Sequence, residues 1–205
     1  VDGAMATESE TEAAATAEVF LTAYQLLCSI GNLQTNQRVL IHAGASGVGT
    51  AAIQLAKAMG AKVAVTASSA DKLAVCTALG ADLTINYKTN AFEQELASQW
   101  PQGLDLILDP VAGGYISREI PLLAMDGKIV LYAMMGGHDI PQLNLASLFK
   151  RRGQLICSTL RNRSNRYKTN LTQAFSQAFA RMLAQRQIQP VLQQQFDWRQ
   201  AQIAH

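Results

Sequence analysis

Cysteine is scarce in this 205-residue chain, and Cys28, Cys76 and Cys157 stand far apart in apolar surroundings. That spacing matches neither a disulfide framework nor a cysteine-based metal site, and ordinary buried thiols in a reducing cytoplasm are expected. Charge is scarce as well. Lysine and arginine number 17 against 15 acids, a formal net charge of +2, which supplies neither the basic face that nucleic acid needs nor a cationic membrane surface. No apolar run approaches the length of a membrane span, and the first residues lack the basic start and apolar centre of a signal peptide. A soluble protein is expected, with enough apolar content, 49 %, to bury one large core. Residues 1–10 are expected to be disordered or of non-native origin, with a single domain over 11–205.

Two motifs are missing in an informative way. Gly44 and Gly49 stand at the interval of a nucleoside-triphosphate P-loop, but Thr50 follows with no lysine, so that reading fails. The Tyr-x-x-x-Lys pair of short-chain dehydrogenases is also absent: none of Tyr24, Tyr87, Tyr115, Tyr132 or Tyr167 has a lysine four positions later.

What is present is a strand, a glycine turn and a helix. The apolar run Val39–Ile41 leads through Gly44, Ala45, Ser46, Gly47 and Val48 to Gly49, and then Val48, Ala52, Leu55, Ala56 and Met59 recur at helical spacing. Glycines at such a turn let a phosphate approach the backbone, and the N-terminus of the following helix offers unpaired N–H groups to it. A pyrophosphate is the expected guest, so Gly44 to Val48 are candidate cofactor-binding residues.

The rest of the chain repeats the unit. A leading helix from Thr11 ends at Gly31; strands are expected at Lys62–Ala67, Leu83–Asn86, Leu104–Asp109, Lys128–Ala133 and Gln154–Ser158. Helices alternate with them: one capped by Ser69, one opened by an Asn90/Glu93 capping box, one capped by Asn144, and a long amphipathic one from Arg166 to about Gln187. Apolar strands alternating with helices imply an α/β, Rossmann-type, doubly wound parallel sheet of about six strands in the order 3-2-1-4-5-6, with the ligand at the carboxyl ends where the order reverses.

The end of the second strand bears on which dinucleotide binds. NAD sites place an acid there for the ribose 2′-hydroxyl, whereas here the chain reads Thr66-Ala67-Ser68-Ser69 and Lys72 follows in the first helical turn. This favours NADPH, with Ser68 and Lys72 near the 2′-phosphate. His42 and His138 have no acid at a telling spacing and read as structural, and no metal site is expected.

Several stretches together resemble a known family: Ala43 to Ala56, Leu21-Thr-Ala-Tyr-Gln-Leu-Leu27, Leu104 to Asp109, Asp126 to Tyr132 with Met135-Gly-Gly137, Phe149-Lys150, and Leu160-Arg-Asn-Arg163. The chain is similar, from about Ala14 to His205, to the zeta-crystallin-like NADPH:quinone oxidoreductases, the zinc-free branch of the medium-chain dehydrogenase/reductase superfamily. The resemblance implies that the turn matching Ala45 to Val48 cradles the pyrophosphate. It implies that Lys72 and Tyr87 approach the 2′-phosphate, and that the segment from Tyr132 through Met134 to Met135 lines the nicotinamide. It also implies an N-terminal catalytic domain and a final helix and strand that are not among these residues, so an incomplete active site is expected and no catalytic residue is assigned. The expected activity of the parent is hydride transfer from NADPH to a quinone. A non-catalytic NADPH-binding sensor and an enoyl reductase of the same superfamily are the alternatives. A homodimer joined through the edge of the sixth strand is the expected assembly.

Overall fold

A computed structural model describes residues 10–140, 142–194 and 196–204. Its strands are β1 (Arg38–Ile41), β2 (Lys62–Ala67), β3 (Leu83–Asn86), β4 (Leu104–Asp109), β5 (Leu123–Leu131) and β6 (Gln154–Cys157). They pair in parallel in the order β3-β2-β1-β4-β5-β6, the order expected from the sequence. The helices are α1 (Glu10–Tyr24), α2 (Gly47–Ala58), α3 (Ala70–Ala78), α4 (Phe92–Gln99), α5 (Tyr115–Glu119), α6 (Leu145–Lys150), α7 (Asn165–Ala184) and α8 (Ala201–Ala204).

Alternation along the strands explains why helices cover both faces. Val39, Ile41, Val63, Val65 and Leu108 pack with α1, α2 and α7 on one side, where Phe20, Ile53, Leu55 and Phe175 meet them. Leu40, Ala64, Ile107 and Ile129 point the other way, onto Phe92, Leu96 and Ile116 of α4 and α5. Leu104 joins this second side although a strict period of two from Ile107 would turn it away, and the β4–β5 register shifts between Leu104 and Leu106. An irregularity of this kind turns a side chain to the opposite face.

Some expectations need correction. Glu10, assigned to a disordered leader, is the first residue of α1; residues 1–9 lie outside the described residues. The capping box at Asn90 does not form. The residue before α4 is Ala91, Asn90 donates to Glu95 Oε1 (3.0 Å), and Glu93 is drawn instead to Arg118 of α5 (2.7 Å), a tertiary pair that outcompetes a local cap. β5 starts at Leu123 rather than Lys128 and stops at Leu131. The sequence showed no membrane-length run, yet α1 continues through a π-helical turn, Gln25–Ile30, into a helix long and apolar enough to cross one by length and composition. Phe20, Ala23, Leu26 and Leu27 are fully buried there, so its apolar content serves the core.

Candidate dinucleotide site at the carboxyl ends of the strands

The topology reverses between β1 and β4, and the glycine turn sits there. Ser46 caps α2, its Oγ accepting the Gly49 N–H (3.1 Å), while the Gly44 N–H donates to Thr66 O (3.0 Å) and fastens the turn to β2. The three glycines do different things. A Cβ on Gly44 would lie 2.8 Å from Val65 Cβ, and one on Gly49 would lie 2.4 Å from Ala43 O, so both permit close packing of backbone and strand. Gly47 is exposed beside Ser46 at the start of α2, although a Cβ there would come within 2.9 Å of Val19 Cγ1 on α1. The solvent-facing part of the turn therefore runs from Ala45 to Val48, and Gly44 belongs to the packing beneath it. The first-turn N–H groups of a 12-residue helix point out of this end.

Ser68, Lys72 and Tyr87 stand at the same edge of the sheet. Ser69 caps α3 by accepting from the Lys72 N–H (3.4 Å), leaving the Lys72 side chain exposed in the first turn. The Tyr87 N–H donates to Ala67 O (3.2 Å), which ties the exposed Tyr87 to the end of β2. Ser68, the residue after β2, is half-buried.

Tyr132 and Met134 follow β5 and line a cavity of about 500 Å³ with Cys157, Ser158, Thr159 and Arg163. A second cavity of about 760 Å³ shares Tyr132, Ser158 and Thr159 and adds Thr22 and Gln25 of the leading helix, Arg161 and Lys168. Two hydroxyls on this shared wall, Tyr132 OH and Ser158 Oγ, are buried without a hydrogen-bond partner. Burial, with the Asp109 charge second, raises the Tyr132 phenol well above its ordinary value, so it stays protonated and available as a donor. Gln25 is held by Tyr167 OH (3.1 Å). Thr22, Gln25 and Ser158 carry no sequence signal, because their role depends on α1, β6 and α7 meeting at one corner.

His42 was read as lacking an acidic partner, and the structure supplies one. Its Nε2 lies 3.0 Å from Glu119 Oε1, with both side chains fully buried, and its Nδ1 lies 2.8 Å from Thr66 Oγ1. Glu119 is far from His42 in sequence, so spacing could not reveal the pair. His138 is exposed and lies 3.6 Å from Asp139.

The sequence profile of the family described as zinc-binding dehydrogenase matches residues 47–177, which run from the glycine turn into α7. The chain belongs to the zinc-binding dehydrogenase family. Among relatives of this zinc-binding dehydrogenase domain, the human synaptic vesicle membrane protein VAT-1 homolog is 35 % identical over 137 residues, covering 67 % of this chain and 35 % of the relative. The quinone oxidoreductase of Thermus thermophilus, solved also as its NADPH complex, is 31 % identical with a TM-score of 0.82, covering 100 % of this chain and 63 % of that one. The CurK enoyl reductase is 27 % identical with a TM-score of 0.80, covering 96 % and 58 %. The chain thus spans about a third of the human relative's length. The family's name implies zinc, but among the described residues no group of three or more His, Cys, Asp or Glu side chains is arranged to hold a metal ion.

Proposed function

We propose that this dehydrogenase domain binds NADPH and serves a reductase that passes hydride to a quinone. The observation that carries the reading is the presence, at the carboxyl ends of the strands, of a capped, exposed helix N-terminus and of two cavities that share unpartnered hydroxyls. A dinucleotide spans that distance in kind: pyrophosphate over Ala45 to Val48, adenosine toward Ser68, Lys72 and Tyr87, nicotinamide toward Tyr132 and Met134. Lys72 gives the 2′-phosphate a cation where β2 supplies no acid, which supports NADPH over NADH. Bound NADPH supplies the hydride. The domain's own contribution is binding and orientation: the α2 dipole offsets phosphate charge, and Tyr132 OH and Ser158 Oγ offer hydrogen bonds at the reacting end.

Likeness to the enoyl reductase supports a second reading, in which an activated alkene takes the hydride. Assay of the chain within its parent protein, with quinones and with enones, separates the two. The cofactor reading itself is tested by titrating the purified chain with NADPH and NADH, and it fails if neither binds. A homodimer fits the same reading: β6 ends the sheet, and Phe149 and Leu145 of the preceding α6 are exposed apolar residues. The three thiols are free, and of these only Cys76 is buried as expected, Cys28 being half-buried and Cys157 exposed; free thiols suit a reducing compartment such as the cytoplasm.

A further inference from the structure

Three titratable side chains are buried together beneath the glycine turn, and the proposed hydride chemistry uses none of them. His42 directly follows β1, Asp109 ends β4 and Glu119 ends α5, all at 0 % exposure. Asp109 accepts from the backbone: its Oδ1 takes the Val111 N–H (2.6 Å) and its Oδ2 the Ala112 N–H (2.9 Å). Glu119 has no such donors. Its Oε1 faces His42 Nε2, and Asp109 lies within hydrogen-bonding reach of its carboxyl.

The other charged or titratable groups nearby relieve it only in part: the Arg118 guanidinium favours the Glu119 carboxylate but does not outweigh its burial. Arg118 is committed to Glu93 of α4 and lies over the Phe92 and Tyr115 rings. Tyr115 on α5 and Tyr132 beyond β5 are neutral phenols whose ionisation burial opposes. Two ionised carboxylates side by side in this interior would repel each other with little solvent to screen them.

His42 Nε2 and both Glu119 oxygens make no hydrogen bond of ordinary geometry. One proton on Glu119 offers each a partner: with Thr66 O–H donating to His42 Nδ1 (2.8 Å), His42 Nε2–H can turn to Glu119 Oε1 (3.0 Å) and the Glu119 O–H to ionised Asp109. The electrostatics run the same way: burial pushes Glu119 up to about 8 and Asp109 only to about 6, so of the two carboxyls Glu119 keeps the proton at neutral pH. Burial holds His42 down at about 4, so its ring is neutral.

We propose that Glu119 is the protonated member of a His42–Glu119–Asp109 unit, and that through Asp109 this unit positions the two loops flanking the cofactor groove. Asp109 holds the backbone of Val111 and Ala112. That loop in turn holds the one after β5, since Met135 N–H donates to Pro110 O (3.0 Å) and Gly136 N–H to Val111 O (2.7 Å). Met134, on the cavity wall, therefore hangs on Asp109 at one remove. Loss of the Glu119 proton places a second negative charge beside Asp109, loosening the loops and opposing an anionic ligand above. Glu119 is a positioning residue here, and the inference rests on the cofactor reading for its functional consequence.

Two measurements test it. Infrared difference spectra of the cofactor-free chain should show a carboxylic-acid C=O band that disappears as pH rises through about 8 and is missing in Glu119→Gln. NADPH titrations from about pH 7 to about pH 9 should lose about tenfold in affinity, the equivalent of one unit of coupling between proton and cofactor. Glu119→Gln, which keeps a donor and cannot ionise, should bind as the unmutated chain does at pH 7 and stay flat to pH 9. No acid band at neutral pH, or a Glu119→Gln profile that follows the unmutated one, would overturn the proposal. If NADPH does not bind at all, the cofactor reading fails, and the infrared band still decides the protonation.

Discussion

Gly49 is the point at which the turn after β1 has no room for a side chain, and Gly49→Ala measures that constraint directly. The added Cβ would stand 2.4 Å from Ala43 O and 2.6 Å from Gly44 O, both backbone atoms, so α2 must move away from the turn by about 1 Å to restore ordinary contact. That movement stretches the 3.1 Å bond between Ser46 Oγ and the Gly49 N–H, and loss of an N-cap costs about 1 kcal/mol. It also disturbs Ile53, Leu55 and Ala56, fully buried residues of the same helix, and overpacking of this kind costs about 1–3 kcal/mol. The sum, about 2–4 kcal/mol, lowers Tm by roughly 5–15 °C in a domain of this size. Gly114→Ala is the control, because nothing lies within 4 Å of its Cβ and its φ of −64° suits alanine. Thermal melts followed by circular dichroism should separate the two variants. A Gly49→Ala melt indistinguishable from that of Gly114→Ala would refute the packing role given to Gly49.

Lys72→Ala should remove most of the preference for NADPH over NADH, by about tenfold or more, since a charge-assisted phosphate bond is worth about 1.5–3 kcal/mol; equal affinities for both cofactors in the unmutated chain would sink the role assigned to Lys72. Gly47→Val should abolish NADPH binding, and because its side chain also meets Val19 it should cost some stability, visible as a lower denaturation midpoint. Glu119, held protonated in the fold to about 8 against 4.5 for a free glutamate, should make stability fall as pH rises toward 8, by about 1 kcal/mol per pH unit at most. The fall is read above pH 6.5, because below it Asp109, brought up to about 6, adds to the trend and His42, which refuses a proton until about pH 4, opposes it; Glu119→Gln should flatten that alkaline limb in urea titrations. Light scattering should report a dimer, and Phe149→Asp, at a side chain 84 % exposed, should shift it toward monomer without changing the melt; a strict monomer at high concentration would count against pairing at the β6 edge.

Local pattern carried most of the fold. The apolar runs at Val39–Ile41, Lys62–Ala67 and Leu104–Asp109, each followed by glycine or a capping residue, specify strand and helix within a few residues, because side-chain period and turn chemistry are properties of neighbours in sequence. Their alternation then fixes a parallel sheet, since right-handed crossovers leave few ways to connect such units. The exposed turn Ala45 to Val48 and the place of Lys72 at the start of α3 were legible for the same reason: they belong to one continuous βα segment and the start of the next. Tertiary structure decided what depends on distant residues meeting. Glu93 chose Arg118 over its own helix cap, and Gly47 gained a neighbour in Val19. Ser158 and Tyr132 became unpartnered hydroxyls on a common wall only where β5, β6 and α1 converge. His42, an isolated histidine in the sequence, acquired Glu119 and Asp109 because β1 and β4 are adjacent in the sheet though far apart in the chain, and burial of all three turned ordinary side chains into a set that must share a proton.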